Sequence, residues 1–183
     1  KVNSVTITLN GGTIRNNLNF ILEAPGCESN MFGLYCVKGT THVDNHTIVD
    51  NQQPNSLSNE LYKGIIDENA TGVFNGKIFV RQDAQKTNAY QSNKNILLSD
   101  TATVNTKPQL EIFADDVKCS HGCTIGRLDD EAMFYLQARG VGEKAAKALL
   151  LHAFAVEILE KIELEPIRQY VDKIISERLD FEL

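Results

Sequence analysis

Met31-Phe32-Gly33-Leu34-Tyr35-Cys36-Val37-Lys38-Gly39-Thr40-Thr41-His42-Val43-Asp44-Asn45-His46-Thr47-Ile48-Val49 is the stretch that decides the fold of this 183-residue chain. It holds two runs of strand-forming residues, Met31 to Val37 and Thr41 to Val49, and the alternation in such runs marks β-structure. Val5-Thr6-Ile7-Thr8-Leu9 reads the same way. Between such runs stand Asn10-Gly11-Gly12, Pro25-Gly26, Gln53-Pro54-Asn55, Asn75-Gly76 and Lys107-Pro108, all residues that favour turns. Asn75-Gly76, between Val73-Phe74 and Ile78-Phe79, has the composition of a two-residue hairpin turn. Short strands at this spacing permit a sandwich, a barrel or a β-helix. The many Asn, Thr and Asp residues and the lack of long polar loops favour stacked coils, although no strict repeat is present. A stack of coils leaves an open end that something must cover.

Residues 1–126 are therefore expected to be β-structure, and from Asp129 the pattern turns helical. Asp129 is a candidate N-cap for a helix over about 130–138, with Gly140 as its stop. A second helix is expected from about Glu143 to Ile162, apolar nearly all round and so buried between other elements. A third begins at Pro166, with Ile167, Tyr170, Val171, Ile174, Ile175 and Leu179 on one face. The small helical domain so defined spans 129–183.

Net charge is −6, and residues 129–183 carry most of it, with 7 basic against 12 acidic groups. That balance opposes phosphate-backbone binding, which needs a surplus of Lys and Arg. No apolar run of about 18 residues exists to span a membrane. The chain begins at Lys1, which fits a piece of a longer protein. Four cysteines, Cys27, Cys36, Cys119 and Cys123, are too few for a disulfide-stapled fold, so free thiols in a reducing cytoplasm are expected.

The densest chemistry is Asp115-Asp116-Val117-Lys118-Cys119-Ser120-His121-Gly122-Cys123-Thr124. On a strand, Cys119, His121 and Cys123 share one face. Two thiols and an imidazole are a soft ligand set suited to iron, zinc or cuprous ions, one short of a closed tetrahedral site. The same cysteines also suit a β core as small apolar residues. His42 and His46 share a face with Asp44 between them, a weaker metal pattern that exposed polar residues on a coil face explain better. His152, in an apolar helix, reads as a packed and hydrogen-bonded imidazole, and Cys27 and Cys36 as filler in turns and strands.

Two other function classes have sequence features. Gly140-Val141-Gly142, with Arg139, Lys144 and Lys147 nearby, resembles the hairpin of a helix–hairpin–helix nucleic-acid-binding module, but a Gly turn between helices explains it. A carbohydrate-active β-helix enzyme would need cooperating carboxylates, and Asp115 and Asp116, adjacent on a strand, would face opposite sides.

Phe113 to Val141, FADDVKCSHGCTIGRLDDEAMFYLQARGV, is similar to the signature of the SufB/SufD family of iron–sulfur cluster assembly scaffolds, and most to its SufD branch. Val73 to Leu98 resembles the family as well, so the match is good over about 73–183 and looser over 1–72. The resemblance implies a right-handed parallel β-helix, truncated here at its start, followed by a small C-terminal helical domain. It implies a non-catalytic scaffold of the SUF system that pairs with a SufB-type paralogue through the β-helix. A SufC-type ATPase would dock on residues 129–183 and supply the ATPase activity. It implies that Cys119 and His121 sit at the SufB-facing junction, where an iron–sulfur cluster is held transiently, with none tightly bound by this chain alone. Cys123 departs from the family pattern and stands as a further candidate metal ligand. In isolation the open end is expected to pair with a second copy.

Overall fold

The computed structural model describes residues 1–179. Nine strands precede three helices: β1 (Val2–Thr8), β2 (Thr13–Leu22), β3 (Glu28–Val37), β4 (His42–Asn51), β5 (Leu57–Ile66), β6 (Thr71–Val80), β7 (Asn88–Leu97), β8 (Thr103–Ile112), β9 (Lys118–Gly126), α1 (Asp130–Ala138), α2 (Glu143–Leu159) and α3 (Glu165–Arg178). The expected β-structure and the helical segment after it are both present. Residues 180–183 of the expected helical domain lie outside the described residues.

Odd strands form one sheet in the order β1-β3-β5-β7-β9, and even strands a second, β2-β4-β6-β8. Every pairing is parallel. Successive strands thus alternate between two facing sheets, which is a parallel β-helix. Each coil takes 27 to 32 residues, since Val2 pairs with Ser29 and Thr71 with Thr103. A left-handed backbone residue recurs at equivalent corners: Gly26, Asn55 and Lys86 at one, Gly39 and Glu68 at another. Lys86 and Glu68 adopt a conformation that costs an ordinary side chain about 1–2 kcal/mol. The repeat is therefore one of backbone shape, which composition hides.

Inward-facing residues of both sheets stack into the lumen, whose core includes Met31, Tyr35, Val43, Tyr62, Phe74 and Ile78. Columns interlock by size: a Cβ on Gly33 would come within 2.2 Å of the Tyr62 ring, and one on Gly64 within 2.3 Å of the Tyr35 ring. A second core lies outside the odd-strand sheet, where Leu34, Cys36 and Ile65 meet Leu151, Ala155 and Ile158 of α2 and Ile175 of α3. Strands β3 and β5 are thus covered on both faces.

Asn75-Gly76 is not a hairpin turn. Both residues lie inside β6, paired in register with His46 and Thr47 on one side and Lys107 and Pro108 on the other. Glycine is needed there for close approach, because a Cβ on Gly76 would come within 2.4 Å of Gln91 Nε2 reaching across the lumen. Asp115 and Asp116 also differ from expectation, lying in the corner before β9 and not on a strand. Gln85 ties that corner down, donating to Asp115 Oδ1 at 2.9 Å and accepting from the Asp116 N–H at 3.0 Å.

The helices follow their end signals. Asp129 accepts from the N–H groups of Glu131 and Ala132 at the start of α1. Its end is a Schellman turn, with Gly140 at φ 88° and Val141 N–H bonded to the Leu136 carbonyl. That turn accounts for the glycines of the helix–hairpin–helix resemblance. Helix α2 is less enclosed than its composition suggests, with Leu149 exposed. Helix α3 starts one residue before Pro166, and its apolar stripe divides: Ile175 is buried, while Ile167 and Tyr170 are exposed. His152 is half-buried and bonds Asp172 of α3 at 2.7 Å, the packed imidazole expected.

Candidate functional site at the open end of the coil

Strand β9 is the last of its sheet, so among the described residues one side of it has a β neighbour and the other has none. Its register on β7 pairs Ala89 with Cys119, Gln91 with His121 and Asn93 with Cys123. Ala89, Gln91 and Asn93 face the lumen and are buried. Cys119, His121 and Cys123 therefore continue the inward-facing columns as the terminal rung of the coil. Cys119 is half-buried against the lumen core, and burial pushes its thiol up while a backbone hydrogen bond with Ala89 opposes. His121 and Cys123 are exposed.

The donor types suit iron, but their number and spacing do not close a site among the described residues. Neighbouring same-face residues on a strand stand about 6.6 Å apart, and Cys119 and Cys123 about 13 Å. Among the described residues, no group of three or more His, Cys, Asp or Glu converges to hold a metal ion. The rung lines the uncovered end of the coil, with His121 and Cys123 exposed there.

Directly beneath lies a rung of three buried carboxamides, Gln91, Asn93 and Asn95. Gln91 Nε2 donates to Glu60 Oε2 at 2.6 Å. Asn93 Nδ2 donates to the Tyr35 hydroxyl and to the Tyr62 carbonyl, each at 3.1 Å, and Asn95 Nδ2 donates to Asn93 Oδ1 at 2.7 Å. Tyr35 Oη completes the network by donating to Asn95 Oδ1 at 2.5 Å. Glu60 is buried in the lumen, and burial drives its carboxyl up to about 7. Sequence reasoning missed all of these residues, because Gln91 to Asn95 is an unbroken polar run with no alternation to mark an inward face, and Glu60 looks locally like a surface carboxylate. The signal available was register: a coil of about 30 residues sets Gln91 beneath His121.

The other sequence candidates lie elsewhere. His46 sits on the outer face of the even-strand sheet, where its Nε2 bonds Asp44 Oδ1 at 2.8 Å and Arg15 pairs with Asp44 Oδ2 at 2.8 Å. Cys36 is buried beneath α2 on β3, three strands in from β9, and Cys27 is half-buried at a corner. All four thiols are free. No helix among the described residues is long and apolar enough to cross a membrane.

A parallel β-helix ending in a cysteine–histidine rung defines the class, and comparison with known proteins supplies the family. The SufBD core domain of SUF system FeS cluster assembly matches residues 1–154. The chain is 39% identical over 172 residues to an iron–sulfur cluster assembly SufBD family protein of Synechocystis, covering 94% of this chain and 38% of that protein. It is 38% identical over 176 residues to the iron–sulfur cluster assembly protein SufD of Escherichia coli, covering 96% of this chain and 42% of that one. Protein ABCI7, chloroplastic, of Arabidopsis thaliana is 34% identical over 165 residues, covering 90% and 35%. This chain belongs to the SufBD family of SUF iron–sulfur cluster assembly proteins. It spans about two fifths of the length of these curated relatives.

Proposed function

We propose that this chain is the cluster-facing part of a SufD-type scaffold, non-catalytic in itself. Cys119 and His121 offer ligands to a nascent iron–sulfur cluster at the junction with a SufB-type paralogue. The cluster is cargo, held transiently and completed by ligands from the partner. The single observation that carries this reading is the terminal rung: soft donors on an open end, too few and too far apart to serve a metal alone. Cys123 is a candidate third donor on the same face. Without the partner, the open end offers its unpaired edge to a second copy of the chain. The four free thiols suit a reducing compartment such as the cytoplasm.

The helical segment is the proposed seat of a SufC-type ATPase. Phe134, Tyr135, Leu164, Ile167 and Tyr170 are large apolar side chains exposed on α1 and around α3. Exposed aromatic residues of this kind anchor protein interfaces. ATP-driven movement of that partner would reach the coil through α2, which packs on β3 and β5. The test is calorimetric titration of a SufC-type ATPase with the unsubstituted chain and with Phe134→Ser combined with Tyr170→Ser. Deleting the helices would be a poor control, since it would strip the cover from Leu34, Cys36 and Ile65. Binding that vanishes in the doubly substituted, folded chain supports the reading. Binding that persists moves the ATPase elsewhere.

A further inference from the structure

One column of the lumen turns polar toward the open end. Met31, Glu60, Gln91 and His121 occupy equivalent positions on β3, β5, β7 and β9. Facing side chains of adjacent parallel strands stack about 4.8 Å apart. Glu60 and Gln91 are both buried. The Glu60–Gln91 bond at 2.6 Å uses the Gln91 amide nitrogen, and Gly76 leaves the space that nitrogen occupies. The other end of the amide is unspent: Gln91 Oε1 is buried and has no hydrogen-bond partner among the described residues. An orphaned buried carbonyl costs about 1–3 kcal/mol and calls for a donor. One rung further on, the column's next residue is an imidazole, which carries one N–H in its neutral form.

We infer that Glu60, acting through Gln91, is a positioning residue for His121: the carboxyl holds the Gln91 amide by its nitrogen, and the freed Gln91 carbonyl accepts the imidazole N–H once a partner covers the open end. The inference rests on the reading of that end as the cluster site. Accepting one ring N–H selects one tautomer and leaves the lone pair of the other ring nitrogen facing outward, the form in which histidine ligates. Glu60 has no metal role of its own, lying two rungs inside the coil. Met31 in the same column shows that an apolar side chain of similar length fits this stack.

The test is anaerobic ferrous-iron binding to the assembled complex with a SufB-type partner, read against a competing chelator. Outer partners of histidine ligands are worth about 10–100-fold in metal affinity. Gln91→Met and Glu60→Met are expected to weaken iron binding by about that factor. Glu60→Gln, whose side-chain carbonyl still accepts from Gln91, is expected to keep it. Normal binding by both methionine variants, with loss in His121→Ala, overturns the relay and leaves the site standing. Normal binding by His121→Ala overturns the site reading and the relay with it. Should the methionine variants fail to fold, nitrogen NMR of labelled His121 in the unsubstituted complex decides. One neutral tautomer with a protected N–H supports the relay, and a mixture of tautomers overturns it.

Discussion

Lys63 Nζ, on the outer face of β5, donates a hydrogen bond to the Phe154 carbonyl of α2 at 2.8 Å, although Lys63 is only 3% exposed. The ammonium also sits 4.2 Å from the centre of the Phe154 ring and pairs with Glu157. Burial pulls its pKa below the ordinary lysine value, so the charge is retained by these partners against a desolvation cost. One buried cation thus fastens the helical segment to the coil.

Lys63→Ala should loosen α2 selectively. A hydrogen bond to a charged donor contributes about 1.5–3 kcal/mol, so amide protection across α2 should fall by about 2 kcal/mol in hydrogen exchange. Protection in the lumen strands should hold. Lys63→Met, which keeps the apolar stem, should recover part of the loss. Uniform loss over strands and helices would contradict the fastening role.

Glu60 makes stability depend on pH. Its carboxyl titrates near 7 in the folded chain, against an ordinary value of 4.5. Between those values the folded state binds more protons than the unfolded state, so stability falls as pH rises through the window from about 4.5 to 7. The full loss, reached above 7, is at most about 3 kcal/mol, which corresponds to about 6–12 °C in melting temperature for a domain of this size. Glu60→Gln should flatten this dependence and melt higher than the unsubstituted chain at pH 8. Equal pH slopes for the two chains would show that Glu60 is not the titrating group.

The sequence made the class of fold legible and left its interior hidden. Alternation within Thr41–Val49 marked a strand whose inward residues, Val43, Asn45, Thr47 and Val49, are indeed buried. Asp129 and Gly140 marked both ends of α1 through hydrogen bonds that depend on neighbours alone. Asn75-Gly76 misled because a turn propensity is local, whereas Gly76 answers to Gln91, which arrives from the far sheet. Residues separated by one coil of about 30 meet only once register is known. Hence Cys119, His121 and Cys123 could be placed on one face from their spacing, while the carboxamides beneath them and Glu60 could not.

Glycine substitutions test the register itself. A Cβ at Gly64 would come within 2.3 Å of the Tyr35 ring and 2.4 Å of Asn95 Oδ1, both fixed in the buried network, whereas one at Gly122 meets nothing within 4 Å. Gly64→Ala should destabilise by about 1–3 kcal/mol in urea unfolding, the usual cost of overpacking. Gly122→Ala should fall within about 0.5 kcal/mol of the unsubstituted chain. Equal effects at the two positions would refute the stacking described.

In the proposed function the terminal rung serves cargo and not the core. Cluster formation by the full complex with SufB-type and SufC-type partners, followed by visible absorbance alongside melting of the isolated chain, tests it for Cys119→Ser and His121→Ala. Loss of cluster absorbance is expected, with melting temperatures changed by no more than a few degrees. Undiminished cluster formation, or loss that merely tracks unfolding, would contradict it.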